Sequence, residues 1–227
     1  MCVLSYINIM SQVRIFLILL LSIFTLGISI QPQTNSSNPI DSEMYDISKS
    51  IYLNVKKTHP ELPPVIAFID YRLPSNHKRL WIFDIDKKKI LVKTYVSHGK
   101  GSGRLLPSHF SNRSQSYETS LGAHITGKTY VGKHGLSLKL IGLEDGINDH
   151  SESRGIVLHS AWYASSSFLH DHGYLGRSLG CPAVSQAELA KIINLLKNGH
   201  LLIQYSSDDN YLSSTQLIDS TVLKTLA

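Results

Sequence analysis

The sequence has little of what builds a stapled, fibrous or nucleic-acid-binding protein. Its 227 residues contain only two cysteines, Cys2 and Cys181, so there is no disulfide framework and no paired-cysteine zinc motif. Charged residues make up 17% of the chain and the formal net charge is +5. That excess is spread out, with no basic stripe and no interleaved aromatics, which excludes a nucleic-acid groove. No internal repeat is evident, and the composition excludes collagen-like, coiled-coil and disordered classes. What remains is a globular chain long enough for one domain with a hydrophobic core.

The first 29 residues hold no acidic residue and one basic residue, Arg14, ahead of the apolar run from Ile15 to Ile28. Gly27 and Ser29 suit a signal peptidase, and a polar stretch follows, so residues 1–29 read as a signal peptide and 30–41 as a polar linker. The alternative is an uncleaved anchor, but the run falls short of the roughly 20 apolar residues a spanning helix needs. A cleaved signal leaves no stable membrane span and directs the protein to the periplasm or cell envelope. Cleavage removes one basic and no acidic residue, taking the net charge from +5 to +4. It also removes Cys2. Cys181 is then an unpaired thiol in an oxidising compartment, where structural cysteines come in pairs.

Apolar Met44, Ile47, Ile51 and Val55 recur at helical spacing, which predicts a helix over 42–60 with Ser42 as N-cap and His59-Pro60 as its stop. From Pro63 the period changes. Short β-rich segments are expected at 65–71, 79–84 and 89–96, with a hairpin turn at 84–88, and again at 122–130, 137–140, 155–159 and 200–205. A later helix is expected over 186–196, ending at Asn198-Gly199. Residues 97–120 are rich in Gly, Ser and Asn and read as a long loop, functional or mobile. The pattern is a mainly β domain over 63–206 with helices at its margins, and residues 207–227 read as a polar tail with one weak apolar patch.

The chemistry concentrates in Arg154-Gly155-Ile156-Val157-Leu158-His159-Ser160-Ala161-Trp162-Tyr163 and Gly176-Arg177-Ser178-Leu179-Gly180-Cys181-Pro182-Ala183-Val184. A strand-end histidine is paired with a loop cysteine. A cysteine attacks as the thiolate, and an imidazole can draw off its proton and return it to a leaving amine, so this pair is the minimal machine for covalent acyl transfer. A strand would hold His159 rigidly, and Gly180 leaves the backbone free to turn amides toward a developing oxyanion.

These motifs resemble the catalytic domain of the murein L,D-transpeptidases, the YkuD-like family, in its branch with Gly-Arg-Ser-X-Gly-Cys-Pro-Ala. Ser97-His98-Gly99, Phe110-Ser111-Asn112, Ser120-Leu121-Gly122, Tyr130-Val131-Gly132-Lys133-His134-Gly135 and Leu140-Ile141-Gly142-Leu143-Glu144 extend the likeness over about Val65 to Tyr205. The resemblance implies a β-sandwich with a few peripheral helices. It implies Cys181 as nucleophile, His159 as its base, amides around Leu179, Gly180 and Cys181 as an oxyanion hole, and a carbonyl near Ser160 that orients the imidazole. It further implies peptidoglycan stem peptides as substrate, no cofactor, and a monomer. Relatives commonly read Ser/Thr-His-Gly-Cys, whereas Leu179 here carries no imidazole and the polar or basic residue that often follows the cysteine is missing.

Arg177 is a candidate to supply positive charge, lowering the thiol pKa or forking a substrate carboxylate; the alternative is a surface salt bridge. Ser178, Trp162 and His134 are the other expected substrate contacts. His159, His170, His172 and Cys181 are metal-ligating residue types, but His170-Asp171-His172 sits in a soft polar stretch without a second cysteine or a helical His pair, so no metal is expected. Gly99-Lys100-Gly101-Ser102-Gly103-Arg104 lacks Walker spacing and reads as a substrate-side loop. Three functions stay open: an L,D-transpeptidase, an L,D-carboxypeptidase or endopeptidase using water, and a non-catalytic peptidoglycan-binding module on the same fold.

Overall fold

A computed structural model describes residues 39–226; the expected signal peptide, Cys2 and most of the expected linker lie outside them. Helix α1 (Pro39–Thr58) opens the described chain and buries Met44, Ile47, Ile51 and Val55, the residues whose spacing predicts it. It begins earlier than the Ser42 cap, at a proline whose fixed φ suits a first helical position. No helix among the described residues is long and apolar enough to cross a membrane.

Eight strands follow: β1 (Val65–Asp70), β2 (Leu80–Asp84), β3 (Lys89–Thr94), β4 (Gly122–Gly132), β5 (Gly135–Gly142), β6 (Val157–Ser160), β7 (Ala183–Val184) and β8 (Leu201–Tyr205). They form one sheet in the order β3-β2-β1-β8-β4-β5-β6-β7. β1 and β8, both apolar through nearly their whole length, lie side by side in parallel at its centre, as continuous hydrophobic runs should. Beyond β3, the Ser97 amide donates to the Ala183 carbonyl of β7 at 2.8 Å, so the two edges meet and the sheet is nearly closed. The mainly β class with few helices is as expected, and the strands are one curled sheet.

Helices α2 (Ser166–His172), α3 (Gln186–Leu196), α4 (Asp209–Ser214) and α5 (Ser220–Leu226) complete the fold. α3 has the expected bounds and buries Leu189, Ile192, Ile193 and Leu196. The segment expected to be a tail is instead part of the domain. Tyr211 and Ile218 join the core, Thr215 donates to the Glu144 carboxylate, and Asn54 of α1 donates to the Leu217 carbonyl at 3.0 Å. A few apolar residues among many polar ones suffice because these polar groups find partners on the sheet and on α1.

The 97–120 segment is a loop, as expected, but it is pinned. Ser97, His98, Ser102, Thr119 and Ser120 are fully buried. Arg79, also fully buried, donates to the carbonyls of Val96 and Leu73 and to His98 Nδ1 at 2.7 Å, while His98 Nε2 faces the Gly103 carbonyl at 3.3 Å. Arg79 is aimed at Nδ1, so that nitrogen accepts and the His98 ring is neutral. Burial, with Arg79 beside it, holds the His98 pKa down at about 3, and burial holds His124 of β4 at about 4.

Both imidazoles sit below their ordinary value of 6.5, so the unfolded chain takes up protons first as pH falls. Stability present above pH 6.5 is therefore lost on the way down to about 4 for His124 and about 3 for His98. Each histidine contributes up to ~1.4 kcal/mol per pH unit across its window. Thermal melts are expected to show a midpoint falling steadily between pH 6.5 and 4, with a shallower fall in His124→Asn; a flat wild-type midpoint over that range contradicts the assignment.

Candidate active site

β6 lies between β5 and β7, and its parallel register pairs His159 with Ala183 and Ser160 with Val184. The chain enters β7 through Cys181-Pro182, and the His159 amide donates to the Pro182 carbonyl at 3.3 Å. Two residues far apart in sequence are thus set side by side by backbone pairing. His159 and Cys181 both line a cavity of about 660 Å³, which is also lined by Tyr130, Lys133, His134, Arg154, Gly155, Tyr163, Arg177, Ser178 and Leu179.

His159 is buried and its Nδ1 lies 2.9 Å from the Ser160 carbonyl. A carbonyl only accepts, so Nδ1 carries the hydrogen and Nε2 is left with a bare lone pair, the form a general base requires. Burial lowers its pKa, and the nearby His134 lowers it further, against the hydrogen bond to Ser160. The Cys181 thiol is half-buried and donates to the Gly155 carbonyl at 3.7 Å; no hydrogen bond joins it to the His159 ring among the described residues. Burial raises its pKa above the ordinary thiol value, opposed by the Val157 backbone, Arg154 and Lys133. With one pKa lowered and the other raised, the resting pair is thiol and neutral imidazole.

The loop before Cys181 is shaped from within and from below. Ser178 Oγ accepts from the Gly180 amide at 3.1 Å and donates to the Cys181 carbonyl at 2.6 Å, so its hydroxyl is used in holding the turn. The amide expected to serve at Gly180 is therefore occupied, whereas those of Leu179 and Cys181 donate to no protein acceptor among the described residues. Beneath the turn, the Ser178 amide donates to the His98 carbonyl at 2.9 Å and the Lys100 amide to the Ser178 carbonyl at 2.8 Å. The backbones of Gly99 and Gly180 approach so closely that a methyl on Gly99 would meet Gly180 Cα at 2.9 Å. Gly180 also has φ +126°, a conformation side chains resist.

Several expected contacts turn out differently. Arg177 is exposed, lines the cavity and donates to the Gly103 carbonyl at 3.0 Å, with no carboxylate partner among the described residues, so it forms no surface salt bridge there. Trp162 does not line the cavity. It is 76% exposed and packs edge-on against Tyr163 and Phe168, while Tyr163 beside it lines the cleft, as does Tyr130. Leu179 is 55% exposed at the cavity mouth. His170 and His172 lie on α2, one beside Asp171 and the other stacked on Phe168, and neither lines the cavity. His134 does, with its ring centroid 4.5 Å from that of His159.

Sequence reasoning missed Arg154. Its guanidinium donates to the Ser111 and Glu118 carbonyls and to the hydroxyls of Ser116 and Ser120, all neutral acceptors, while facing the cavity beside Cys181. The pinned 97–120 segment thus presents a positive charge to the thiol. The available signal was its place three residues before the strand carrying His159, but only the folded loop reveals what holds it.

Burial pushes the Cys181 thiol above the ordinary thiol value of 9.0, so at neutral pH it rests protonated. Alkylation by iodoacetamide is therefore expected to be slow at neutral pH and to keep rising past pH 9, with Arg154→Met shifting the curve further upward. A plateau already reached at neutral pH contradicts the neutral resting pair.

Comparison with known proteins adds the following. The family model of the L,D-transpeptidase catalytic domain matches residues 36–205, well over half of the chain. Similar solved structures include an L,D-transpeptidase from Mycobacterium smegmatis, 14% identical with a TM-score of 0.41, over 63% of this chain and 59% of that one. The helical cell shape determining protein Pgp2 from Campylobacter jejuni is 13% identical with a TM-score of 0.44, over 72% and 56%. An L,D-transpeptidase from Stackebrandtia nassauensis is 14% identical with a TM-score of 0.39, over 71% and 67%. The chain thus spans less than two thirds of the first two. No curated protein matches the chain.

Proposed function

The chain belongs to the L,D-transpeptidase catalytic domain family, and from that premise we propose that it is a peptidoglycan L,D-transpeptidase working through a thioester on Cys181. The observation that carries this reading is the pairing of a half-buried free thiol, on the loop entering β7, with an imidazole on the adjacent β6 whose Nε2 is bare, both lining one cavity.

In this reading the thiol turns from the Gly155 carbonyl toward His159, and Nε2 takes its proton as sulfur attacks the carbonyl between an L-centre and the terminal D-residue of a stem peptide. The amides of Leu179 and Cys181 are the candidates to receive the developing oxyanion. Because the resting pair is neutral, the sulfur's charge appears only as the proton moves, and Arg154 is placed to stabilise it. His159 then returns the proton to the leaving amine, the D-amino acid departs, and the acceptor's amine resolves the thioester. Arg177, exposed at the cavity edge, is available to fork a stem carboxylate.

Water in place of the amine makes the same acyl-enzyme an L,D-carboxypeptidase or endopeptidase. Export to the cell envelope, anticipated from residues 1–29, and a monomeric state complete the proposal.

Incubation with purified muropeptides followed by mass spectrometry separates the readings. Cross-linked dimer is the expected product, trimmed monomer alone marks a hydrolase, and unchanged substrate with an unmodified protein marks a binding module and overturns the enzyme. Cys181→Ala is expected to abolish all products while melting like the wild type, and His159→Ala to slow turnover by about 10²–10⁴-fold.

A further inference from the structure

β4 and β5 are joined at the cavity mouth by a hairpin whose last pair is Gly132 and Gly135, leaving Lys133 and His134 as a two-residue turn. Gly135, the residue after this turn, has a positive φ of +72°, the left-handed conformation a glycine takes at a hairpin bulge. The turn carries His134 over the buried ring of His159, with centroids 4.5 Å apart and planes inclined by 32°, while His134 itself stays exposed. The site thus holds two imidazoles in contact, one sealed and one open to solvent.

Resolving a thioester with an amine requires two deprotonations. A primary amine is an ammonium ion at neutral pH, so one proton must leave before its lone pair can attack and a second must leave as the amide forms. His159 has one free nitrogen, Nε2, since Nδ1 is tied to Ser160. It can take one of these protons and pass it to the departing Cys181 sulfur. Of the other groups facing the cavity, Lys133, Arg154 and Arg177 are cations and Tyr130 and Tyr163 are phenols. As classes, neither accepts a proton near neutrality. His134 is the remaining base.

We propose that His134 is a catalytic base of the second half-reaction, taking the first proton from the acceptor ammonium and releasing it to solvent. The free amine then attacks the thioester carbonyl, the C–N bond forms and the C–S bond breaks. The second amine proton travels by His159 Nε2 to the Cys181 sulfur. Acyl-thioester and ammonium become amide, thiol and one proton in solution. The proposal rests on the transpeptidase reading and gives the site a preference for an amine acceptor over water, which needs no such prior deprotonation.

The test follows the ratio of cross-linked to hydrolysed product at pH 7 and at rising pH, together with the rate of acyl-enzyme formation from donor stem alone. His134→Gln is expected to lower that ratio by about 10–100-fold at pH 7. The loss should shrink as the pH approaches the acceptor amine's own pKa, where the ammonium deprotonates unaided. Added imidazole should restore part of the ratio in His134→Ala. A ratio unchanged at pH 7, a loss uniform across pH, or no rescue by either route overturns the proposal. Failure of the wild type to acylate at all sinks the transpeptidase reading itself, a result distinct from the others.

Discussion

The parallel pairing of β6 with β7 is the constraint from which the site follows. Neither strand is long: β6 has four residues and β7 two. Yet their register fixes His159 opposite Ala183 and so brings Cys181 to the mouth of the same cavity. β7 is also where the sheet closes, through the Ser97 amide on the Ala183 carbonyl. One two-residue strand therefore both seals the sheet and aims the nucleophile loop. The residues around it are spent on keeping it there: Arg79 and His98 below, Gly99 against Gly180, and Ser178 bonded within the turn.

Burial sets the electrostatics. It lowers the imidazole and raises the thiol, which disfavours a preformed ion pair and leaves a neutral couple at rest. A neutral pair avoids the cost of two buried charges in the empty site and guards the thiol against indiscriminate reaction. Arg154 supplies the compensating charge from outside the pair. Its hydrogen bonds go only to carbonyls and hydroxyls, with the Glu118 carboxylate acting on it from nearby, and carbonyl dipoles in that arrangement orient the guanidinium without neutralising it. The 97–120 segment is thus part of the electrostatic machinery, though none of its side chains has been assigned to the chemistry.

What the sequence made legible was what is local. The apolar spacing of α1 and α3, the β-rich stretches of β4 and β5 and the Gly-Cys-Pro stretch are all set by neighbours a few residues apart, and each lies near where it was expected, with α1 starting earlier at Pro39 and β5 running longer, Gly135–Gly142, than 137–140. His159 and Cys181 could be paired because each sits in its own recognisable stretch. Arg154 was hidden because its acceptors lie some 35–45 residues upstream in a loop without periodicity. Trp162 was misjudged because the direction of a side chain after a strand end depends on the 3-10 turn at Trp162–Ala164, which points Tyr163 inward and Trp162 out. The C-terminal helices were read as a tail because their few apolar residues pack on α1 and the sheet, contacts that no local pattern announces.

The central claim is that acyl groups pass through the sulfur of Cys181. It is met most directly by quenching the protein in acid during turnover of a tetrapeptide stem, then weighing the intact chain and mapping the modified peptide. The expected species carries the stem less its terminal D-residue, on the peptide containing Cys181. Stem cleavage with the acyl group on any other side chain, or with Cys181 unmodified throughout, would contradict it.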